Sequence, residues 1–450
     1  MSTPMSTPTR PTGSPPAPTG TPRRSTASTK APSGGRSFDG WSTGNSMGWY
    51  RLNAVIAVVA IAATAIVATT GAFLMRSATV SIQDNTAPSL IAVQGLSASV
   101  AEANSNATAA FLSAAEGEED RQRRVAYLDA LRRSAEETEE VAGLIDDDEA
   151  RHRDLKDVAV ALTSYSGSIE AARAAVLNGD PEAVDNLTTA LDLTGSGVAD
   201  SVARVTDANQ QRFDNQLTSG MWLTLIGLVL AIGTLLLLLR MQRRMFALSN
   251  RLLNPGMLLA TLAVLLTVVA LTFSFLARQS ALVNASDGGY DAIAATSRLQ
   301  ATANDVQTAL SLRLLGGTSD VDVESPFASL SGDVDIIADL ADSNREQAAA
   351  QALEVRLSRY ESATNDILFL AEQGDTDAAI DAFRGSGFST FNGLNTSIES
   401  VLSDNRAQFT DGVDGAASAV NPLPLLTLVL PVLAAIGVVF GVQRRLSDYQ

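Results

Sequence analysis

Two apolar runs separated by a short basic loop constrain this chain more than any other feature. Residues 220–239 (GMWLTLIGLVLAIGTLLLLL) and 257–277 (MLLATLAVLLTVVALTFSFLA) carry no charged side chain, and a helix of about 20 apolar residues crosses a bilayer core. Each run is long enough to span. The loop between them, residues 240–256, holds Arg240, Arg243, Arg244 and Arg251 and no acid, which predicts a hairpin whose turn stays in the cytoplasm. Two further uncharged runs, 52–75 and 422–442, give the order span, long polar segment, span, twice over.

The net charge of -17 separates by side once these four spans are drawn. Residues 1–51, 240–256 and 443–450 contain 12 Lys/Arg against two acids, Asp39 and Asp448, whereas the two long segments hold the other 20 basic and 47 acidic residues. The positive-inside rule therefore predicts both termini and the hairpin inside and both acidic segments outside. The expected layout is a disordered cytoplasmic tail (1–48), spans at 52–75, 220–239, 257–277 and 422–442, outer segments at 76–219 and 278–421, the hairpin at 240–256 and a short tail at 443–450. Residues 1–48 are rich in Ser, Thr, Pro and Gly and too poor in large apolar residues to bury a core. The run at 52–75 is too long and too far from the terminus for a signal peptide, so it reads as a retained anchor. Two lysines, Lys30 and Lys156, stand against thirty arginines with abundant Ala, a bias that suggests a GC-rich bacterial genome and a bacterial plasma membrane.

In both outer segments apolar residues recur at helical spacing in four blocks. The first segment runs Leu90, Val93, Leu96, Val100, Ala103, Ala107, Phe111, then Val125, Leu128, Leu131, Ala135, Val141, Ile145. A heptad stripe follows from Leu155 through Val158, Leu162, Tyr165, Ile169 and Ala172 to Val176, and a last block from Val184 to Val205. The second segment repeats the plan. Leu96, Ala98, Glu102 match Leu299, Ala301, Asp305 at an offset of 203, and Tyr165, Gly179, Asp180 match Tyr360, Gly374, Asp375 at 195. The predicted fold class is an all-α membrane protein with four transmembrane helices framing two tandem extracytoplasmic four-helix bundles, a duplicated unit.

Chemistry is scarce. The absence of cysteine excludes disulfides, Cys-ligated zinc and thiol nucleophiles. His152 is the single histidine and lies in a charged turn. The acidic run Asp146, Asp147, Asp148, Glu149 lacks the glycine of a calcium loop. No phosphate-binding glycine loop, nucleophile elbow or HExxH occurs, so no enzyme, cofactor or metal is expected. The spans contain no ionisable group, which argues against transport, and an acidic exterior argues against a nucleic-acid partner. Small residues (Ala60, Ala63, Thr64, Ala68, Gly71; Gly227, Gly233; Ala434, Gly437, Gly441) predict close span packing. Arg132, Arg133, Arg173, Arg356 and Arg359 are candidate contacts for an anionic ligand.

The four spans, the Ser/Thr/Pro-rich tail, the duplicated bundles and segments such as EANSNATAAFLSA (102–114) and YSGSIEAARAAVLNGD (165–180) resemble the actinobacterial GlnX-type membrane proteins. That resemblance implies a signal transducer that relays an external amino-acid signal of the Asp/Glu type. Its implied partners are an amino-acid-binding lipoprotein outside and a soluble Ser/Thr protein kinase inside, with the lipid bilayer around it and homo-oligomers compatible with the plan. The alternatives are an envelope scaffold and a chemoreceptor-like sensor that binds its ligand directly. The residues themselves describe a receptor shape without an output domain, so the hairpin arginines (Arg240, Arg243, Arg244, Arg251) are the expected partner surface. Helix one of each bundle is expected to follow its span closely, and helix four to run on into the next.

Overall fold

The computed structural model describes residues 46–115, 120–145, 149–180, 182–249, 254–316 and 323–447. The rest of the Ser/Thr/Pro-rich tail, the acidic residues 146–148 and Arg251 lie outside the described residues. Every regular element described is helical. The first half comprises α1 (Ser46–Ser81), α2 (Ala87–Ala115), α3 (Arg121–Leu144), α4 (Glu149–Leu177), α5 (Ala183–Asp192) and α6 (Ala199–Thr218). α7 (Met221–Ser249) and α8 (Pro255–Val283) form the central hairpin; α9 (Asp291–Leu314), α10 (Ser325–Asp339), α11 (Asn344–Glu372), α12 (Thr376–Ala382), α13 (Phe388–Val420) and α14 (Leu423–Ser447) complete the second half. Four of these stretches are long and apolar enough to cross a membrane, and the chain is a multi-pass membrane protein.

Helix ends follow local sequence. α4 and α11 stop in the same way: Gly179 and Gly374 take left-handed backbone (φ +69° and +78°), and their N–H groups bond back to Val176 and Ala371 carbonyls. Asp120 accepts hydrogen bonds from the Gln122 and Arg123 amides at the start of α3, and Ser343 with Glu346 makes a full capping box on α11.

The joints between spans and bundles differ from expectation. α1 passes into α2 through a π-helical segment, Ile82–Thr86, and α8 into α9 through another, Asn284–Tyr290, with no break in the helix. Helix four of the first bundle does not run on. α6 ends at a turn where Gly220 has φ +72°, and a Cβ there would lie 2.6 Å from the Met75 amide nitrogen. In the second bundle α13 (to Val420) passes into α14 with Asn421 still in helical backbone, and only Pro422, which has no N–H, interrupts the ladder. The first bundle is therefore joined to its spans by continuous helix through α1 alone, and the second through α8 and, past Pro422, α13.

Small residues bring the spans together as predicted, with one exception. A Cβ on Gly227 would meet Ala68 at 2.9 Å, and one on Gly256 would meet the Gly437 carbonyl and Gly441 amide at 2.6 Å, whereas Gly233 has nothing within 4 Å. Asn254 caps α8 through the Gly256 amide and donates from Nδ2 to the Gly441 carbonyl at 2.8 Å, so the hairpin is docked on the fourth span. Thr64 and Thr234 share a buried hydrogen bond of 3.0 Å.

The buried stripe of α4 is the predicted one, from Leu155 to Ala172. That of α3 holds only in its second half, where Val141 and Ile145 are buried; Val125 and Leu128 are 53% and 45% exposed, and the inward face there is Arg123, Tyr127, Ala130, Ser134 and Thr138. The reason is the neighbour. α3 packs along α2 through Tyr127 and Ala130 against Ala103, Ala107 and Phe111 and through Val141 against Leu96 and Val100, while Leu131, Ala135 and Ala142 line a groove against α4. The bundles also share their cores. Ala109 and Leu112 of α2 pack among second-bundle residues, and Leu312 of α9 packs with the first; α2 and α9 lie side by side as a common seam.

Candidate functional site at the seam between the bundles

α2 and α9 meet through polar side chains. Ser105 and Thr108 are buried on α2 and Thr296, Gln300, Asn304, Gln307 and Ser311 on α9, while Ser99 and Asn106 of α2 are buried against α3 and bond Glu137 and Arg123. Ser105 Oγ donates to Asn304 Oδ1 across the seam at 2.6 Å. Tyr360, fully buried, donates to Gln307 Oε1 at 3.1 Å. Buried polar groups are nearly always satisfied, yet Ser297 Oγ, Gln307 Nε2 and Thr308 Oγ1 have no partner. A polar interface with spare donors has alternative ways to pair, and a small shift can exchange one pairing for another.

A charged cluster joins three helices beside this seam. Arg133 of α3 donates to Glu102 of α2 at 2.6 Å, and Ser99 donates to Glu137 at 2.6 Å. Burial pushes the Glu137 carboxyl above its ordinary value, opposed by the Ser99 hydrogen bond and by Arg406 and Arg133. Burial likewise raises Glu399 of α13, with repulsion from Glu102 adding to it, and lowers Arg406, whose Nε is buried without a partner. Gly95 makes room for the cluster, since a Cβ there would collide with the Glu137 carboxylate.

At the end of the seam away from the spans, Arg123 is 7% exposed and stacks on the Phe388 ring of the second bundle, 3.3 Å from its centroid. Its nearest carboxylate, Asp120, is 3.9 Å away, and burial brings the guanidinium down to about 10 despite that attraction. A cavity of about 280 Å³ opens here, with Ser113, Gln122 and Arg384 in its wall.

At the membrane end, Arg278 is 1% exposed. Its Nε donates to Thr79 Oγ1 at 2.8 Å, and its two terminal nitrogens donate to the Gln216 and Leu217 carbonyls at 3.1 Å. Arg76, its counterpart after the first span, reaches Asn421 Oδ1 at 2.8 Å. Each arginine thus leaves one half and grips the end of helix four of the other. Gln216 also bonds Ser81 and Thr86, on either side of the first π segment boundary.

Of the arginines picked from sequence, the structure brings only Arg133 to the seam. Arg132 pairs with Glu136 and Asp129 on the solvent face, Arg173 pairs with Glu170, Arg356 donates to the Gly393 carbonyl, and Arg359 is exposed on α11. Arg240, Arg243 and Arg244 are exposed together on the last turns of α7. The sequence reading missed Arg123, Arg278 and the polar stripe of α9, although Gln300, Asn304, Gln307 and Ser311 stand at the same three-and-four spacing as an apolar face. Among the described residues no group of His, Asp or Glu is arranged to hold a metal.

Residues 78–218 match a family described as an actinobacterial sensor domain. That segment begins within the last turn of α1 and ends with α6, so it takes in the whole first bundle. No curated protein and no solved structure matches the chain.

Proposed function

We propose that this sensor-type membrane protein is a non-enzymatic signal transducer in a bacterial plasma membrane, with both bundles outside and the termini and hairpin in the cytoplasm. The observation that carries the reading is helix continuity: α1 to α2 and α8 to α9 run unbroken from the spans into one polar seam shared by both bundles. A change in seam packing moves two spans as levers, and α8 begins at the hairpin. The two halves, with matching π segments and matching glycine stops, fit a duplicated unit.

The resemblance to GlnX-type proteins supports the finer reading. In it an amino-acid-binding lipoprotein docks on the bundles and reports an Asp/Glu-type amino acid, and a cytoplasmic Ser/Thr protein kinase reads the hairpin through Arg240, Arg243, Arg244 and Arg251. The orientation rests on charge: 12 basic against two acidic residues on the proposed inner side. Reporter fusions after Thr138 and Asp342 are expected to read external and one after Phe246 internal; an internal signal from either bundle refutes the scheme. Replacing the four hairpin arginines with glutamine, in a host where insertion is verified, is expected to abolish the amino-acid response while the bundles stay folded. A scaffold would leave that response intact.

A further inference from the structure

Glu102 and Asp305 hold matching positions on α2 and α9, 203 residues apart, but their surroundings differ. Glu102 is met at 2.6 Å by Arg133 from the adjacent helix α3. The adjacent helix in the second bundle, α10 (SPFASLSGDVDIIAD), contains no Lys or Arg, and none occurs anywhere in residues 314–344. Asp305 has no ion pair or hydrogen bond among the described residues, and it stands instead at the mouth of a cavity of about 380 Å³.

That cavity spans the seam. Its walls are α2, the π segment Leu193–Val198 with the start of α6, and Ala301 and Asp305 of α9. Its charged groups are both carboxylates, Asp305 and Asp207, beside the neutral Gln94, Ser97, Asn104, Thr194 and Thr206. Asn104 gives its Nδ2 hydrogen to Thr194 at 2.9 Å, which leaves Oδ1 buried with no donor. Asp207 adds a second carboxylate, and the lining contains no Lys, Arg or His. A π segment in the wall is a common mark of a functional site, because it widens the helix locally and frees backbone groups.

We propose that this cavity binds a small organic amine, whose ammonium group pairs with Asp305 as the Arg133 guanidinium pairs with Glu102. The same chemistry disfavours an acidic amino acid, whose carboxylates would find no cation in the wall. A volume of about 380 Å³ lies at the small end of the range for ligand pockets, roughly 300–1,000 Å³. Asp305 is exposed to solvent at the cavity, and partial desolvation by the wall raises its carboxyl to about 6, so near neutral pH it is mostly ionised with no cation beside it and open to an ammonium group. The inference goes beyond a relay from a docked partner, because it gives the chain a ligand of its own that touches both bundles at once.

The test uses the purified full chain in nanodiscs and reads binding alone, so its outcome is independent of any signalling assay. Putrescine and ethanolamine at millimolar concentration are expected to raise the thermal midpoint, with sodium chloride at equal ionic strength and sodium acetate giving no rise. Asp305→Asn is expected to weaken amine binding about tenfold or more. Ala301→Arg, one helical turn before Asp305, supplies the missing cation internally and is expected to abolish the amine response with the midpoint unchanged or raised. No stabilisation by either amine overturns the proposal. Equal stabilisation of wild type, Asp305→Asn and Ala301→Arg also overturns it, since the effect is then unspecific.

Discussion

Replacing Arg278 with alanine is expected to destabilise the chain by about 3 kcal/mol or more, since each buried hydrogen bond from a charged group contributes roughly 1.5–3 kcal/mol. Arg278 makes three such bonds, to Thr79 on α1 and to the last carbonyls of α6. The Gln216 carbonyl also accepts from the Ser219 amide at 3.3 Å, but carbonyls in the last turn of a helix lack the full helical ladder, and a cation suits the negative end of a helix dipole. Without the guanidinium, three helices lose their common tie where they enter the membrane. The related Arg76 is a control, because its bond to Asn421 is exposed, and Arg76→Ala is expected to cost about 1 kcal/mol or less. Unfolding of both variants in nanodiscs, followed by circular dichroism, measures the difference. Equal losses would mean that burial of Arg278 contributes nothing at this joint.

The second large effect is on coupling rather than stability. Two glycines inserted between Asp84 and Asn85, inside the π segment Ile82–Thr86, are expected to disconnect the first bundle from its span. Glycine costs about 1 kcal/mol per residue in a helix interior and lets the two ends rotate independently. The same insert between Ser219 and Gly220 is expected to change much less, because the helix is already broken there by a turn at Gly220. The readout is the change that a seam perturbation produces in residues 240–256. If the insert at Gly220 uncouples the protein and the one at Asn85 does not, signals travel along helix four, and the lever assignment is wrong.

These joints show what sequence could and could not supply. Spans are legible because some 20 uncharged residues have few other uses, and the glycine stops at Gly179 and Gly374 are legible because a left-handed turn needs them. Small residues in the spans were legible as a class but not singly: Gly227, Gly437 and Gly441 pack closely, and Gly233 does not. The seam was hidden for a physical reason. A stripe of Ser, Asn, Gln and Thr looks like a solvated helix face until a second polar helix covers it, and that cover is tertiary. Nor does spacing show that α3 turns Tyr127 and Ala130 inward and leaves Val125 and Leu128 exposed. Arg123 and Arg278 looked like any surface arginine, since nothing local distinguishes a guanidinium that neighbouring helices enclose. One missed signal was available: Gly195, Ser196, Gly197 match Gly385, Ser386, Gly387 at an offset of 190, and both triplets fall in π segments.

The account makes the seam the moving part and the hairpin its output, and a chain without cysteine allows the link to be tested directly. Ser105→Cys with Asn304→Cys places two thiols at the hydrogen bond that crosses the seam. Oxidation in nanodiscs is expected to close a disulfide within one chain and fix one seam packing. Hydrogen exchange of residues 240–256 is then measured before oxidation, after it, and after reduction. The account expects exchange in that hairpin to change on oxidation and to return on reduction, although the hairpin lies at the far ends of the spans. Closure of the disulfide with exchange in residues 240–256 unaltered would contradict it.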